Sequence, residues 1–260
     1  MAAHTRLGAT RLDQRRRRVH RAPDCDVRTS PTRPLPRTQY AMTDTAATFA
    51  FADIAGFTAL TEAHGDSEAL VFVDGFRDTV NSELPVIGGQ LVKTIGDALM
   101  LRIPDPANAI LLGLRIADEM MRNHGVPAVR VGLHHGTAVE RDGDYFGAAV
   151  NLAARVSALA SGGEVLVSGS TAALVPNLPG VLYESRGRQE LRNVTDSVEI
   201  FAAVRIGEAV DGRLPIDPVC RMAVDPDRAA GRLTYQDAAY FFCSLTCAGE
   251  FARQPERFSH

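Results

Sequence analysis

A buried strand, a glycine turn and a helix start follow one another at residues 51–58, FADIAGFT. The apolar run Phe49–Ala55 is typical of a strand inside a sheet, and apolar residues at helical spacing follow Gly56. This order places the Asp53 carboxylate, a ligand for hard cations, beside the free N–H groups of a helix start, which bind phosphate oxygens. Gly56 lets the backbone approach such a ligand closely. The segment predicts a metal and phosphate site; taken alone, a helix cap is an equal alternative for Asp53.

A second carboxylate, Asp97, lies in a predicted hairpin turn at residues 93–97, KTIGD. Lys93 is the only lysine of the chain, and all other basic residues are arginine. A retained lysine indicates a position where a single point donor fits and the planar fork of arginine does not. Asp97 alone is a weaker signal, because turns favour aspartate for their own hydrogen bonds.

A third polar set occurs at residues 144–155, DYFGAAVNLAAR, where Asp144 precedes a glycine turn and a helix. Asn151 and Arg155 are four residues apart on that helix, so they lie on one face. They border an apolar stripe of the same helix. The alternative is that they form only the solvated edge of this stripe.

Together the three segments resemble the class III nucleotidyl cyclases over about residues 47–204, in the order of that family. The resemblance implies a catalytic domain that holds two divalent ions per site, Mg²⁺ or Mn²⁺. The residues that it implies are Asp53, Ile54 (through its carbonyl) and Asp97 for the metals, Gly56, Phe57, Lys93 and Asp144 for the substrate, and Asn151 and Arg155 for the transition state.

The implied reaction is attack of a nucleotide 3′-hydroxyl on its own α-phosphorus, with pyrophosphate leaving in line. Lys93 can donate to adenine N1 while Asp144 accepts from the 6-amino group, and guanine presents the opposite pattern. ATP is therefore the predicted substrate. In the family the metal-binding aspartates and the Lys-Asp-Asn-Arg set of one site come from opposite subunits, so the resemblance also implies a homodimer.

Strands and helices alternate in the order βαββαβ, followed by αβ and a hairpin, which predicts an α+β sandwich of the ferredoxin-like kind. The predicted strands are Phe49–Ala55, Leu91–Ile95, Ala98–Ile103, Val129–Val139 with a break at Gly136, Glu164–Ser168, and a hairpin from Tyr183 to Val204. The predicted helices are one stretch after Gly56 with the apolar markers Leu60, Leu70, Val73 and Phe76, then Ala107–His124 and Ala148–Ala160. Leu191–Val194 resembles a further structural strand of the family.

Three cysteines, Cys220, Cys243 and Cys247, lie close to the C-terminal end. Cys243 and Cys247 are four residues apart at a predicted helix start, and Cys220 in a tight turn completes a thiolate trio for Zn²⁺ or Cu⁺. Residues 215–258 resemble the YHS domain, a small module associated with metal handling. No fourth ligand is evident, and Asp217 and His260 are the two candidates. The alternative is three buried thiols that act as small hydrophobes.

Composition narrows the function classes further. The chain has 260 residues, 45% of them hydrophobic and 23% charged, which suits one large domain and a smaller one. Apolar runs are shorter than the roughly 18 residues of a membrane span, and no secretory signal is evident, so a cytoplasmic protein is expected. Residues 1–41 are arginine-rich and the remainder is acidic, which is not the footprint of nucleic-acid binding. Lys93 follows valine, which excludes a Walker A loop.

Four segments are predicted: a disordered tail over 1–41, a cyclase domain over 42–206, a linker over 207–214, and a YHS-like metal-binding domain over 215–260. The tail is either a solvated segment or an extension upstream of a working start at Met42. The predicted function is a homodimeric adenylate cyclase with a metal- or redox-sensing module. Two alternatives remain. A guanylate cyclase is disfavoured by Lys93 and Asp144, and a catalytically silent nucleotide or metal sensor is disfavoured because all six site residues are present.

Overall fold

The computed structural model describes residues 43–206 and 213–259, so the predicted tail, Met42, most of the predicted linker and His260 lie outside the described residues. The strands are β1 Thr43–Ile54, β2 Gln90–Ile95, β3 Ala98–Ile103, β4 Val129–Arg141, β5 Asp144–Phe146, β6 Val165–Ser168, β7 Val181–Gln189, β8 Val198–Arg205, β9 Gly231–Tyr235 and β10 Ala238–Phe242. The helices are α1 Phe57–His64, α2 Asp66–Glu83, α3 Pro106–Arg122, α4 Ala148–Leu159, α5 Gly169–Leu174, α6 Leu245–Arg253 and α7 Pro255–Phe258, with a 3₁₀ turn at Pro85–Ile87. No described helix has the length and apolar character needed to cross a membrane.

One sheet organises the larger part of the molecule, in the strand order β2-β3-β1-β4-β6-β8-β7, with β5 paired to β4. Successive side chains of a strand point to opposite faces, so the central strand β1 contributes to two cores. Phe49 packs in the core under α4, whereas Ala52 and Ile54 pack in the core that includes α2 and α3. The antiparallel register sets Asp53 opposite Arg130 on β4. The predicted α+β architecture is confirmed.

The predicted single helix after Gly56 is wrong in one respect, because it is two helices separated at Gly65. Gly65 has φ 85° and ψ 157°, which no helix accommodates, and α2 begins directly after it at Asp66. The buried face of α2 consists of Ala69, Val73, Phe76 and Val80. Leu70 is 60% exposed, so its assignment to the apolar face is also wrong.

Two further details differ from the prediction. β4 has no break at Gly136, which pairs in register with Ala47. A Cβ there would lie 2.8 Å from the Ala149 Cβ, so glycine allows α4 to pack closely on the strand. Leu191–Val194 is a turn and not a strand: the Val194 N–H donates to the Leu191 carbonyl at 3.0 Å, and Asn193 has φ 61°.

Residues 213–259 form a small region around the β9–β10 hairpin and α6, and this region shares a buried core with the sheet. Phe242, Cys247 and Phe251 belong to the same hydrophobic cluster as Leu60 of α1. Backbone hydrogen bonds join the two regions at Gly125 N–H to the Ala223 carbonyl (2.8 Å), Ala223 N–H to the Val126 carbonyl (2.9 Å) and Ala128 N–H to the Arg221 carbonyl (2.9 Å). The C-terminal region is therefore docked on the sheet domain along a continuous backbone contact.

A buried carboxylate anchors both sides of the segment that joins the two regions. Asp118 of α3 is only 3% exposed and pairs with Arg205 at the end of β8 (2.8 Å). Its other oxygen accepts from Nε of Arg213, beyond the segment, at 3.0 Å. Two arginines around one buried carboxylate satisfy its charge and hold the chain against α3 on both sides of the connection.

Candidate active site and cysteine cluster

The end of β1 carries the first candidate metal ligand. Asp53 is the penultimate residue of the strand and Ile54 is the last, and Gly56 at φ 71° precedes the first turn of α1. No side chain caps this helix, so the interpretation of Asp53 as a helix cap is wrong. Asp53 Oδ2 instead accepts from Arg130 Nη2 at 2.6 Å and Nε at 2.9 Å.

Asp97 lies on the turn between β2 and β3, and the fold brings its carboxyl group to Asp53. The pKa of Asp97 is raised to about 6, first by burial and then by the hydrogen bond and negative charge of Asp53; Arg130 offsets part of this. Two carboxyl groups beside each other, with one guanidinium that offsets part of their charge, leave a negative site that suits a divalent cation.

Arg130 is a candidate site residue that the sequence prediction missed. It is separated from Asp53 by 77 residues, and only the pairing of β1 with β4 places the two side chains together. The available signal was an arginine within the apolar run of Val129 and Val131, where a charged residue needs a partner. Its guanidinium supplies a fork of donors beside the two carboxylates.

Lys93 and Asp144 meet across 51 residues of sequence. Lys93 Nζ lies 2.9 Å from Asp144 Oδ1 and 2.6 Å from Oδ2, and 5.6 Å from the centre of the Phe146 ring. The register of β2 against β3 shifts between Leu91 and Lys93, which sets the direction of this side chain. Partial burial favours a higher pKa for Asp144, but donation from Lys93 and from the Tyr145 N–H lowers its pKa.

Asn151 and Arg155 both lie on α4, where Asn151 is exposed and Arg155 is half-buried. Among residues 43–206 and 213–259, neither side chain has a hydrogen-bond or ion-pair partner. The structure thus joins Asp53 to Asp97 and Lys93 to Asp144, while these two helix residues remain available for a ligand. Such unpaired polar side chains can donate to phosphate or ribose oxygens.

The adjacent histidines of β4 do not share a ligand. His134 Nδ1 lies 2.7 Å from the Ser168 hydroxyl, whereas His135 Nδ1 lies 3.0 Å from the Thr48 hydroxyl. The two rings point to opposite faces of the sheet, as the sequence predicts. Burial, and secondarily the charge of His135, lowers the pKa of His134 to about 4.

The three C-terminal cysteines converge. The Sγ atoms of Cys220 and Cys243 are 3.3 Å apart, and those of Cys243 and Cys247 are 3.7 Å apart. His64, the last residue of α1, places Nε2 at 3.4 Å from the Cys243 Sγ, and the four ligand atoms lie within 4.8 Å of one another. Hydrogen bonds from the other two thiols lower the pKa of Cys247.

The prediction of Asp217 as a fourth ligand is wrong. Asp217 is fully buried, and its carboxylate accepts from the N–H of Val219 at 2.9 Å and from the N–H of Cys243 at 2.9 Å. Its oxygens therefore hold the two cysteine-bearing segments together. The other candidate, His260, lies outside the described residues. His64 was missed because it is separated from Cys243 by 179 residues and belongs to no local motif.

Two family descriptions match this chain. Residues 39–203 match the adenylate and guanylate cyclase catalytic domain, and residues 216–260 match the YHS domain. The chain is 35% identical over 161 residues to the pH-sensitive adenylate cyclase MT1302 of Mycobacterium tuberculosis, covering 61% of this chain and 40% of that protein. It is 32% identical over 180 residues to an adenylate cyclase of Streptomyces griseus, covering 68% of this chain and 44% of that protein. The chain thus spans less than half the length of these curated relatives.

Solved structures give the same fold. The adenylate/guanylate cyclase/hydrolase from Silicibacter pomeroyi superposes with a TM-score of 0.59 at 26% identity, covering 63% of this chain and 98% of that one. The adenylyl cyclase CyaB from P. aeruginosa superposes with a TM-score of 0.57 at 21% identity, covering 65% and 98%. The cyclase match covers more than half of the chain, in agreement with the fold. The chain belongs to the adenylate and guanylate cyclase catalytic domain family and carries a YHS domain after that domain.

Proposed function

We propose that this protein is an adenylate cyclase, which converts ATP to 3′,5′-cyclic AMP and pyrophosphate at sites shared by two identical subunits. The observation that carries the proposal is the preformed Lys93–Asp144 pair in a chain of the cyclase family. The names of the two curated relatives, both adenylate cyclases, support the same substrate.

Base selection follows from the hydrogen-bonding groups of this pair. Adenine offers an acceptor at N1 and a donor at its 6-amino group, which suit the Lys93 ammonium and the Asp144 carboxylate. Guanine offers a donor at N1 and an acceptor at O6, so the same two side chains meet mismatched groups. The ion pair, at 2.6 Å, holds both side chains in place before a base arrives.

Asp53 and Asp97 fit the two divalent cations of the family, Mg²⁺ or Mn²⁺. Both are carboxylates, the ligand type of hard cations, and a cation would relieve the repulsion that raises the pKa of Asp97. We assign these two carboxylates and the Ile54 carbonyl as the metal ligands. When bound, such ions favour deprotonation of the nucleophile and neutralise phosphate charge.

The remaining groups act on the triphosphate and the ribose. The N–H groups of the first turn of α1, residues 57–59, precede the first helical hydrogen bond, from the Leu60 N–H to the Gly56 carbonyl, and can bind phosphate oxygens. Arg130 can turn from Asp53 to a phosphate, for which its fork of donors is suited.

In the reaction the 3′-oxygen bonds to the α-phosphorus, its proton passes to water, and the bond from that phosphorus to pyrophosphate breaks. We assign ribose positioning to Asn151 and stabilisation of charge on the α-phosphoryl oxygens to Arg155.

The homodimer is part of the proposal. Within the described residues, no hydrogen bond or ion pair links Asn151 and Arg155 to the Asp53–Asp97 pair. Two incomplete sets of groups on one chain fit a twofold assembly, in which each subunit completes the site of the other.

We further propose that the YHS domain changes the rate of the cyclase domain. The Arg221 carbonyl accepts from the Ala128 N–H at 2.9 Å, and the Ala128 carbonyl accepts from the Ala55 N–H at 2.9 Å. The Arg221 side chain also covers Gly56, since a Cβ on that glycine would lie 2.9 Å from the Arg221 Cγ. The residue after Cys220 thus contacts the proposed metal and phosphate segment directly. The free thiols and the use of ATP both suit the cytoplasm.

The test is product identification from the purified full chain. ATP or GTP is supplied with Mn²⁺ or Mg²⁺, and the product is resolved by chromatography and mass. We expect cyclic AMP, and Asn151→Ala should abolish its formation while leaving the fold intact. Cyclic GMP as the main product would select the guanylate cyclase alternative. Nucleotide binding without turnover would select the silent sensor.

A further inference from the structure

We propose that His64 is the fourth ligand of a tetrahedral Zn²⁺ site whose other ligands are Cys220, Cys243 and Cys247. The histidine belongs to the cyclase domain and the thiolates belong to the YHS domain, so the metal ion joins the two. This ligand assignment stands independently of cyclase activity.

The distances that join Cys243 to its neighbours lie within about 0.5 Å of those in such a site. Zinc binds thiolate sulfur at about 2.3 Å and imidazole nitrogen at about 2.0 Å, so tetrahedral geometry separates two sulfurs by about 3.8 Å and a sulfur from the nitrogen by about 3.5 Å. The structure has 3.3 and 3.7 Å between the sulfurs that contact each other. It has 3.4 Å from the Cys243 Sγ to the His64 Nε2.

The His64 ring also has a carboxylate near its other nitrogen. Its Nδ1 lies 3.6 Å from Oε1 of Glu68, four residues further along the chain, which is longer than a hydrogen bond but close enough for charge attraction. A carboxylate at that nitrogen favours the tautomer with the proton on Nδ1, which leaves the lone pair of Nε2 free for a metal ion. The His64 side chain is 13% exposed, so packing already restricts it to this position.

The cysteine side of the cluster is held equally firmly. Asp217 binds the backbone of both cysteine-bearing segments through its two oxygens. The Ser244 hydroxyl caps α6 by accepting from the Cys247 N–H at 3.1 Å. Each ligand therefore has a fixed backbone, which reduces the ordering cost of metal binding.

Four donors of this kind favour zinc over the alternatives. A Cu⁺ ion prefers soft thiolate ligands, so the three cysteines would bind it without His64 as a ligand. A disulfide needs two sulfurs at about 2.05 Å and leaves the third cysteine and the histidine unused. Three thiolates and one imidazole around a closed site are a common ligand set of structural zinc.

The position of His64 gives the site a mechanical consequence, which rests on the proposed function. α1 has only eight residues, a length of about 12 Å, and begins directly after the segment that carries Asp53 and Gly56. Zinc at its last residue would fix the far end of this helix while Arg221 covers its start. Occupancy of the zinc site would thereby set the position of the proposed phosphate-binding turn.

The test uses zinc itself and the full chain, loaded and purified without oxygen. Zinc content and X-ray absorption at the zinc edge are measured for wild type, His64→Asn and His124→Asn. His124 is a matched control, because it too joins the two domains, accepting from the Asp225 N–H at 3.0 Å, but lies outside the cluster. We expect one zinc with three sulfurs and one nitrogen in wild type and control. In His64→Asn the imidazole signal should vanish and zinc affinity should fall at least about tenfold.

Several results would overturn the assignment: no stoichiometric zinc, a site without imidazole in wild type, preferential loading with Cu⁺, a disulfide, or an unchanged imidazole signal in His64→Asn. The wild-type spectrum decides the question even if His64→Asn does not fold. An intact zinc site in a protein that makes no cyclic AMP would refute the proposed function alone. Full cyclic AMP production by a chain without the site would refute the mechanical coupling to the cyclase domain and leave the ligand assignment untouched.

Discussion

Two inactive variants of this chain should restore each other. Asp53→Ala removes a carboxylate of the proposed metal site, and Arg155→Ala removes the proposed transition-state donor on α4. Each homodimer then carries one lesion in both of its sites, and loss of about 10³-fold or more is expected for either group. A mixed dimer differs, because one of its sites combines two intact halves while the other combines both lesions.

The expected recovery can be calculated from the proposed twofold arrangement. Random exchange at equal concentrations gives about half mixed dimers, and each has one working site of two, so the mixture should reach about a quarter of the wild-type rate. At other mixing ratios the rate should follow the product of the two fractions, with its maximum at equal amounts. This curve distinguishes a shared site from simple contamination by active protein.

The assay measures cyclic AMP formation after the two variants have been mixed and allowed to exchange. Native mass spectrometry of differently tagged chains reports the fraction of mixed dimers independently of activity. Circular dichroism checks the fold of each parent, which matters because Asp53→Ala leaves Arg130 without its partner at 2.6 Å. If mixed dimers form but the rate of cyclic AMP formation stays at the level of the two parent variants, the proposal of a site shared by two chains is refuted.

Three further outcomes are expected. Asp97→Ala should lower cyclic AMP formation by about 10³-fold or more at unchanged dimer content, since both metal ligands are required; a loss below tenfold would contradict the metal assignment. Lys93→Glu with Asp144→Cys should lower the ATP-to-GTP ratio of kcat/KM at least about tenfold, and an unchanged ratio would mean that these side chains do not select the base. The pKa of His134 is about 4 in the folded chain, below its ordinary value of 6.5, so its neutral form stabilises the fold fully above pH 6.5 and this contribution is lost as the pH falls from 6.5 to 4. Urea unfolding at pH 7 and 4.5 should therefore differ by about 2 kcal/mol more in wild type than in His134→Gln, and equal differences would rule out His134 as the cause.

The parts of the fold that depend on neighbouring residues could be predicted from the sequence. β2 and β3 follow from two apolar runs joined by Gly-Asp, and the observed bounds of α3, Pro106–Arg122, differ from the predicted ones by one or two residues. Lys93 could be selected on composition alone, and its contact with Asp144 fits the role assigned to both. The break at Gly65 was missed, because a single glycine in an apolar pattern does not by itself indicate the non-helical backbone angles that it adopts here.

The groups that sequence could not provide are those placed by pairing between distant segments. Arg130 meets Asp53 because β1 and β4 pair in one register, and a shift of one residue would turn the guanidinium to the other face of the sheet. His64 meets the cysteines because backbone hydrogen bonds from Ala128 and Gly125 fix where the YHS domain docks. The spacing of the cysteines in the sequence does not reveal how the YHS domain docks. It can therefore indicate a thiolate site but not the fourth ligand of that site. In the proposed zinc site the fourth ligand comes from the neighbouring domain, so neither domain alone would contain all four ligands.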